Sequence, residues 1–330
     1  MNILYLIGNG FDVSLGMRTR YENFYDTYCS LPDSEQNKRV CDLKDEIQAD
    51  KDNWADLEWA FGQFTVKLSS FDEFEGVYYD LSDALVRYLR EEEKKLDVSR
   101  LSREEFLYDL SKPSSSLTPA DRARISLGNS NVQNSINIIS FNYTHTIESL
   151  LDLENEVSIQ GKTPDGKIPW RFERILHVHG TIDEGSTILL GVNDASQVAN
   201  PDFAKDEAIT DILVKPSSNR VLKENTDVYC KRLIQAADII VLFGLSVGST
   251  DALWWHEIVE RLSSSNAILI LYHYDKKLNI GPNRGQRLGA IERQVRAHFL
   301  KQAGSNTPES RMREKIYVGV NTRMFSRVKK

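Results

Sequence analysis

Short apolar runs alternate along the chain with longer stretches in which apolar residues recur every three or four positions. An uninterrupted apolar run predicts a strand buried on both faces of a sheet, whereas helical spacing predicts an amphipathic helix. The predicted strands are residues 3–7, 136–141, 175–179, 238–243 and 267–272, with a weaker one at 316–318. Helical patterning covers the segments around 221–236, 250–263 and 286–301. This alternation predicts an α/β fold whose mainly parallel sheet carries helices on both faces.

The pattern changes between the first and the second predicted strand. Apolar residues such as Trp54 and Leu57 recur there at helical spacing between charged residues, and strand-like runs are scarce. We therefore predict a mainly helical lobe, residues 20–130, inserted into an α/β core that consists of residues 1–19 and 131–330.

Composition narrows the class of protein. Of the 330 residues, 41% are hydrophobic and 27% are charged, which is typical of a globular chain. The net charge of -7 argues against non-specific nucleic-acid binding, and the three cysteines lack the spacing of a zinc ribbon. The chain has neither a long apolar run that predicts a membrane span nor the pattern of a secretion signal. We expect a cytoplasmic protein that is not bound to a membrane.

Glycines and polar residues follow the predicted strands at the point where each strand ends. In an open parallel sheet, ligands bind outside the carboxyl ends of the strands, so we expect these residues to meet at one Rossmann-like nucleotide site. A glycine loop lets the backbone approach a phosphate, and amide, hydroxyl and carboxylate groups can hold a ribose. The residues predicted to bind the nucleotide are Gly8, Asn9, Gly10, Asp12, Ser140, Thr144, Gly244, Ser246 and Asp251.

Each of these motifs also has an interpretation without a ligand. The first glycine loop fits a tight turn, and Val13 stands where the dehydrogenase pattern G-x-G-x-x-G has its third glycine, which argues against hydride transfer. Asp251 is suited to cap the helix that follows it. Asp12 and Asp194 can each hold a ribose hydroxyl or stabilise a turn.

Asn142 and His179 are the candidates for catalysis. An amide directly after a strand can hold a ribose hydroxyl or a water, although asparagine also caps helices. An imidazole titrates near neutral pH and suits a general base. His177 and His179 alternate along a strand and point to the same side, so a metal site with Asp183 or His145 is one alternative. A structural, hydrogen-bonded role is another for His177.

Taken in order, these motifs resemble the AbiH family of phage abortive-infection proteins. The resemblance rests on Gly8-Asn9-Gly10-Phe11-Asp12, on Thr19-Arg20-Tyr21 with Phe24, on Trp54 with Glu58, on Ser140-Phe141-Asn142-Tyr143-Thr144, on His177-Val178-His179-Gly180, on Leu190-Gly191-Val192-Asn193-Asp194, and on residues 243–251. The matches occur in order across almost the whole chain. The resemblance implies a role in defence against phage.

The same ordered set is similar, more distantly, to the NAD-binding fold of sirtuins. Asn142 matches the asparagine of the sirtuin T-Q-N-x-D motif, His179 with Gly180 matches the histidine-glycine pair, and Gly244 matches the later glycine loop. Thr144 replaces the aspartate of T-Q-N-x-D, which leaves one ribose contact open. The zinc ribbon of protein deacylases is missing, which argues against acetyl-lysine as the substrate.

The resemblance therefore implies hydrolysis of NAD itself. We expect an NAD glycohydrolase that releases nicotinamide and ADP-ribose without a metal ion, with Asn142 and His179 as its catalytic residues. Glu58 is expected to reach the pocket from the helical lobe. The first alternative is a non-catalytic sensor of NAD or ADP-ribose that signals through that lobe. An interaction protein that needs no nucleotide and a metal-dependent hydrolase are the others. A homo-oligomer, a partner defence protein and a phage-derived trigger are left open.

Overall fold

The computed structural model describes residues 1–32, 37–125, 132–156, 158–223, 225–276, 278 and 284–325. Its strands are β1 (Asn2–Ile7), β2 (Asn134–Ser140), β3 (Gln160–Lys162), β4 (Pro169–His177), β5 (Ile239–Phe243), β6 (Ile268–His273) and β7 (Ile316–Val320). The helices that precede β2 are α1 (Gly10–Ser14), α2 (Tyr21–Tyr28), α3 (Lys38–Ala49), α4 (Leu57–Phe64), α5 (Phe71–Lys94), α6 (Arg103–Ser111) and α7 (Pro119–Arg124). The later helices are α8 (Thr146–Leu151), α9 (Glu207–Leu213), α10 (Lys215–Leu222), α11 (Thr226–Ala236), α12 (Ala252–Ser264), α13 (Arg284–Gln302) and α14 (Glu309–Met312).

Among the described residues, seven strands form one sheet in the order β3-β4-β2-β1-β5-β6-β7. β3 runs antiparallel to β4, and every other neighbouring pair is parallel. β1 is the central strand: Ile7 is level with Ser140 of β2 on one side and with Phe243 of β5 on the other. His177 of β4 is in turn level with Ser140. The carboxyl ends of these four strands therefore lie side by side.

The sheet confirms the predicted mainly parallel α/β architecture but differs from the prediction at one side. β4 begins at Pro169, well before the predicted run, and ends at His177. The short antiparallel strand β3, which pairs with the start of β4, was not predicted. Along this part of β4, buried Trp170 and Phe172 alternate with exposed Arg171, so the strand has no continuous apolar run.

Helices cover both faces of the sheet. On one face, Leu4 and Leu6 of β1 pack in a hydrophobic cluster with residues of α11, α12 and α13. On the other face, Ile3, Tyr5 and Ile7 pack with residues of α6 and α8. Because both faces are buried, residues 3–7 of β1 and all of β5 are apolar without alternation, whereas β2 carries Asn137 among its apolar residues.

A third hydrophobic cluster lies in the helices that follow β1. Helices α2 to α5 pack around buried aromatic side chains, among them Trp54, Phe61 and Phe74, and residues of α9 join this cluster. Phe106 of α6 belongs instead to the cluster on the sheet, although α6 lies in the same stretch of chain. The division of the chain at residues 20 and 130 into a core and an inserted lobe remains a prediction. No helix in the described ranges is both long and apolar enough to cross a membrane.

Candidate functional site

The two glycine loops at the ends of β1 and β5 are packed against each other. The amide of Gly8 donates to the carbonyl of Phe243 at 3.0 Å, and the amide of Gly10 donates to the carbonyl of Gly244 at 2.8 Å. A Cβ on Gly10 would lie 2.5 Å from the Cα of Gly244, whose φ of +69° is itself in the left-handed region. Close approach of the two backbones thus accounts for these glycines, and the amides of Gly8 and Gly10 are already hydrogen-bonded.

Asn9 ties the first loop to the segment that leads into α2. Its Nδ2 donates to the carbonyl of Thr19 at 2.9 Å, and the Thr19 hydroxyl donates back to its Oδ1. The side chain of Asn9 therefore holds the loop rather than facing the cleft between the strand ends.

Asp12 is buried in α1, directly behind the first loop. Thr144 Oγ1 donates to its Oδ2 at 2.6 Å, while its Oδ1 has no hydrogen-bond partner among the described residues. Burial raises the pKa of Asp12 to about 6, although the hydrogen bond from Thr144 opposes that shift. The carboxyl group therefore changes its charge close to neutral pH.

Asn142 follows β2 and is only 5% exposed. Its amide N–H donates to Ser140 Oγ at 3.2 Å, but neither Oδ1 nor Nδ2 of its side chain has a partner in the described part of the chain. The side chain lies close enough to Asp12 to lower the pKa of that carboxyl. Asn142 does not cap a helix, because the residue before α8 is His145. A buried amide with both polar atoms unused is uncommon in folded proteins and indicates a ligand or water at that position.

His177 holds the backbone of Asn142 in place. Its Nδ1 lies 2.7 Å from the carbonyl oxygen of Asn142, and its Nε2 lies 2.6 Å from Glu148 Oε1. Both ring nitrogens are therefore occupied by hydrogen bonds. This geometry corresponds to the structural role that the sequence left open for His177.

His179 binds a different carboxylate and is 5% exposed. Its Nε2 lies 3.0 Å from Asp251 Oδ1, and its ring packs edge-on against Phe141 at a centroid distance of 5.3 Å. Its Nδ1 makes no hydrogen bond with any described residue. A histidine that is oriented by a carboxylate through one nitrogen and free at the other has the arrangement of a general base.

A buried lysine that sequence reasoning missed completes this arrangement. Lys215, the first residue of α10, donates from Nζ to Asp251 Oδ1 at 2.9 Å, to Glu58 Oε2 at 2.8 Å and to the carbonyl of Thr250 at 3.3 Å. Glu58, on α4, is thereby joined to His179 through Lys215 and Asp251. We refer to Glu58, Lys215, Asp251 and His179 as the buried ionic network. In the sequence, only the apolar run at 212–214 indicates that the neighbouring Lys215 is buried. No motif in the sequence indicates that Lys215 contacts Glu58 and Asp251.

The charges within the network depend on one another. Burial alone would raise the pKa of Asp251, but the charges of Lys215 and His179 lower it well below its ordinary value. Burial opposes the charged form of Lys215, yet Asp251 and Glu58 raise its pKa. Burial raises the pKa of Glu58 despite the attraction of Lys215. The stable charged pair is therefore Lys215 with Asp251, and Glu58 is the carboxylate that takes up a proton first as the pH falls.

Asp251, Asp194 and Ser246, the other polar residues predicted at the site, each have a different role in the structure. Asp251 directly precedes α12 but makes no capping hydrogen bond, so the capping interpretation is wrong, and its carboxylate points instead to His179. Asp194 caps a short 3₁₀ turn in a reciprocal capping box with Gln197, which is the turn-stabilising alternative. Ser246 is exposed on the second loop, where the next residue, Val247, has an unfavourable φ of +55°.

His145, His177 and His179 each contact a different carboxylate and do not converge on one point where a metal ion could bind. His145 Nε2 lies 3.1 Å from Asp183 Oδ2, while His177 and His179 bind Glu148 and Asp251, respectively. In the parts of the chain that are described, no group of three or more histidine, cysteine, aspartate or glutamate side chains is placed to hold one metal ion.

The chain was compared with curated proteins and with models of protein families. No curated protein matches it. The family model described as bacteriophage abortive infection AbiH matches residues 4–273, well over half of the chain. That range includes both glycine loops, Asn142 and every residue of the buried ionic network. The chain therefore belongs to the AbiH family of bacteriophage abortive infection.

Proposed function

We propose that this AbiH-family protein hydrolyses NAD and releases nicotinamide and ADP-ribose as its part in abortive infection. The observation that carries the proposal is Asn142, a buried side chain whose amide has no partner among the described residues and which lies beside Asp12. A substrate that offers both hydrogen-bond donors and acceptors, as a ribose does, would satisfy both atoms of this amide. His179 lies at the end of the adjacent strand, oriented by Asp251.

The order of the parallel strands supports a nucleotide as the ligand. Numbered along the chain, the six parallel strands of the described sheet stand in the order 3-2-1-4-5-6, which is the order of Rossmann-like dinucleotide-binding folds. In such folds the ligand binds beyond the strand ends where the order reverses. Here the reversal falls between β1 and β5, where the two glycine loops meet.

The reaction that we propose is the attack of a water molecule on the ribose carbon that carries nicotinamide. The bond from that carbon to the nicotinamide nitrogen breaks, and the nitrogen keeps the electron pair and becomes neutral. The water oxygen bonds to the carbon, and its proton passes to His179 Nδ1. Asp251 stabilises the resulting imidazolium through Nε2, and Asn142 positions the ribose.

The hydrogen bonds between the two glycine loops alter our expectation of which residues contact the phosphates of NAD. Because the amides of Gly8 and Gly10 are hydrogen-bonded to the second loop, these glycines are assigned to loop packing. The exposed loop around Ser246 is better placed to contact a phosphate in this proposal. Backbone strain of the kind seen at Val247 is concentrated at functional sites, which fits this assignment.

Chromatography of NAD incubated with the purified protein tests the proposal. We expect release of nicotinamide by the wild type and a loss of about 100-fold or more in Asn142→Ala and in His179→Ala. His177→Ala should lose less activity, because its ring holds the backbone of Asn142 and does not contact the substrate. His256→Ala, at an exposed position on α12, is the matched control and should retain full activity.

Three results would count against the proposal. Full activity of both Asn142→Ala and His179→Ala in an active wild-type background would show that the chemistry occurs elsewhere. A wild type that is stabilised by NAD in thermal unfolding but does not cleave it would instead identify the sensor alternative, since a ligand that binds the folded state raises its stability. Without turnover and without stabilisation by NAD, both functions would be rejected.

A further inference from the structure

A cavity lies on one face of the sheet, away from the carboxyl ends of the strands. It has a volume of about 330 Å³ and separates α11 from the first halves of β1 and β2 and from β4. Its helix wall is formed by Tyr229, Arg232 and Leu233, which share one face of α11. Asn137 and Arg174 line the strand wall. The volume is within the range of pockets that bind small molecules.

Asn137 gives the first indication that this cavity binds a ligand. It is 8% exposed and lies on the sheet face that carries Leu4 and Ile139 of the adjoining hydrophobic cluster, level with Arg174 of β4. It lines the cavity and makes no hydrogen bond with any described residue. The amide therefore opens on the cavity, where a bound molecule can use hydrogen-bonding capacity that the described residues leave free.

The charged groups of the cavity give the second indication. The guanidinium groups of Arg174 and Arg232 have no carboxylate within 4.0 Å in the described ranges. Glu173 also lines the cavity, but its carboxylate is bound by Arg171, with Nη2 and Oε2 2.6 Å apart, and by the hydroxyl of Ser135. The unpaired charge of the cavity is therefore positive, although the chain as a whole carries a net charge of -7.

The aromatic ring of Tyr229 lines the cavity beside the guanidinium group of Arg232. Tyr229 is 47% exposed, and the guanidinium carbon of Arg232 lies 5.8 Å from its ring centroid. We propose that this cavity binds a nucleoside monophosphate, with the phosphate held by Arg174 and Arg232. The base stacks on Tyr229, and Asn137 bonds to a polar edge of the ligand.

This nucleotide site is distinct from the cleft in which we place NAD cleavage. Asn137 lies within β2, and Asn142 follows the end of that strand at Ser140, which is roughly 10 Å farther along the extended chain. The two sites therefore lie at different ends of the sheet, and each can be removed by mutation without touching the other.

Calorimetric titration with AMP tests the proposal on the full chain. We expect saturable binding that weakens about tenfold or more in Arg174→Ala and in Arg232→Ala, the usual consequence of removing a charge-assisted bond to phosphate. Lys231→Ala removes the same charge from the neighbouring position on α11, outside the cavity, and should change the affinity less than about twofold. Asn142→Ala should leave AMP binding unchanged, which distinguishes this cavity from the strand-end cleft.

Two further titrations identify which parts of AMP are recognised. Inorganic phosphate should bind more weakly than AMP and lose binding in the same arginine variants. Tyr229→Leu should weaken the binding of AMP but not that of phosphate. The proposal is overturned if AMP does not bind in the millimolar range, if adenosine binds as tightly as AMP, or if both arginine variants bind like the wild type. It is equally overturned if Asn142→Ala abolishes the binding.

Discussion

Replacing Lys215 by methionine removes the cation at the centre of the buried ionic network. The methionine keeps most of the apolar volume, but Glu58 and Asp251 lose the ammonium group that lies 2.8 and 2.9 Å from them. Removing one partner of a buried ion pair typically destabilises a protein by about 3–5 kcal/mol. Because Lys215 neutralises two carboxylates, we expect Lys215→Met to fall in the upper part of that range.

The pH dependence of this loss distinguishes electrostatics from packing. Without the lysine, burial raises the folded-state pKa of both carboxylates above their values in the unfolded chain, so the folded variant binds more protons. The penalty is therefore largest above neutral pH and shrinks as the pH falls, by up to about 1.4 kcal/mol per pH unit for each extra proton bound. A loss caused by poor packing would not depend on pH.

Urea unfolding followed by tryptophan fluorescence at several pH values between 5 and 8 measures both quantities. Lys205→Met, at an exposed position, is the matched control and should change the stability by less than about 0.5 kcal/mol. Adding Glu58→Gln to Lys215→Met removes one of the two stranded charges and should restore part of the loss. A cost below about 1 kcal/mol at pH 8, or a cost that is the same at pH 5 and pH 8, would refute the reasoning.

Three further predictions concern the first glycine loop and the titrating groups near it. Gly10→Ala places a Cβ 2.5 Å from the second loop and should cost about 1–3 kcal/mol in urea unfolding, whereas Gly289→Ala, whose Cβ meets nothing closer than 3.7 Å, should be neutral or slightly stabilising. Burial raises the pKa of Asp12 to about 6, so the wild type should lose about 2.4 kcal/mol of stability as the pH rises from 4 to 7, a loss that Asp12→Asn does not show. Identical pH profiles of the two proteins would contradict this. The hydrogen bond with Glu93 raises the pKa of His145 to about 9, so its stabilising contribution is complete below about pH 6.5 and is lost as the pH rises through 9. An NMR titration of the ring should find that value in the wild type and a lower one in Glu93→Gln.

The fold could be predicted where burial leaves a simple mark on the sequence. The strands β1, β5 and β6 are covered on both faces, so each appears as a continuous apolar run that glycine or polar residues end. β2 was predicted from the same pattern although Asn137 interrupts its apolar residues. The first part of β4 was missed because only one side of it is buried, and Arg171 interrupts the apolar residues. β3 has three residues, Gln160–Lys162, none of them apolar, so nothing in its composition distinguishes it from a loop.

The part of the candidate site that could be predicted from the sequence is the part that follows from the order of the parallel strands. Parallel strands place the residues after β2 and β4 next to each other, so the proximity of Asn142 and His179 follows from strand order alone. Their catalytic roles remain predictions. Lys215 could not be found in this way, since its contacts with Glu58 and Asp251 depend on how α10 packs against α4. Nor could the sequence reveal that Gly10 donates its amide to Gly244, because that bond requires β1 and β5 to be neighbours.

The central position of β1 has a consequence for the order in which the protein can fold. Ile7 is level with Phe243 in the sheet, and at a synthesis rate of about 5–20 residues per second these residues are made roughly 12–50 s apart. During that interval one edge of the first strand lacks its neighbour, and contacts this distant in sequence form slowly. His179 is synthesised before Asp251, the residue that orients it, so a chain that stops short of Asp251 cannot hold the ring in place. Whatever chemistry the cleft performs can therefore begin only after most of the polypeptide has been made and folded.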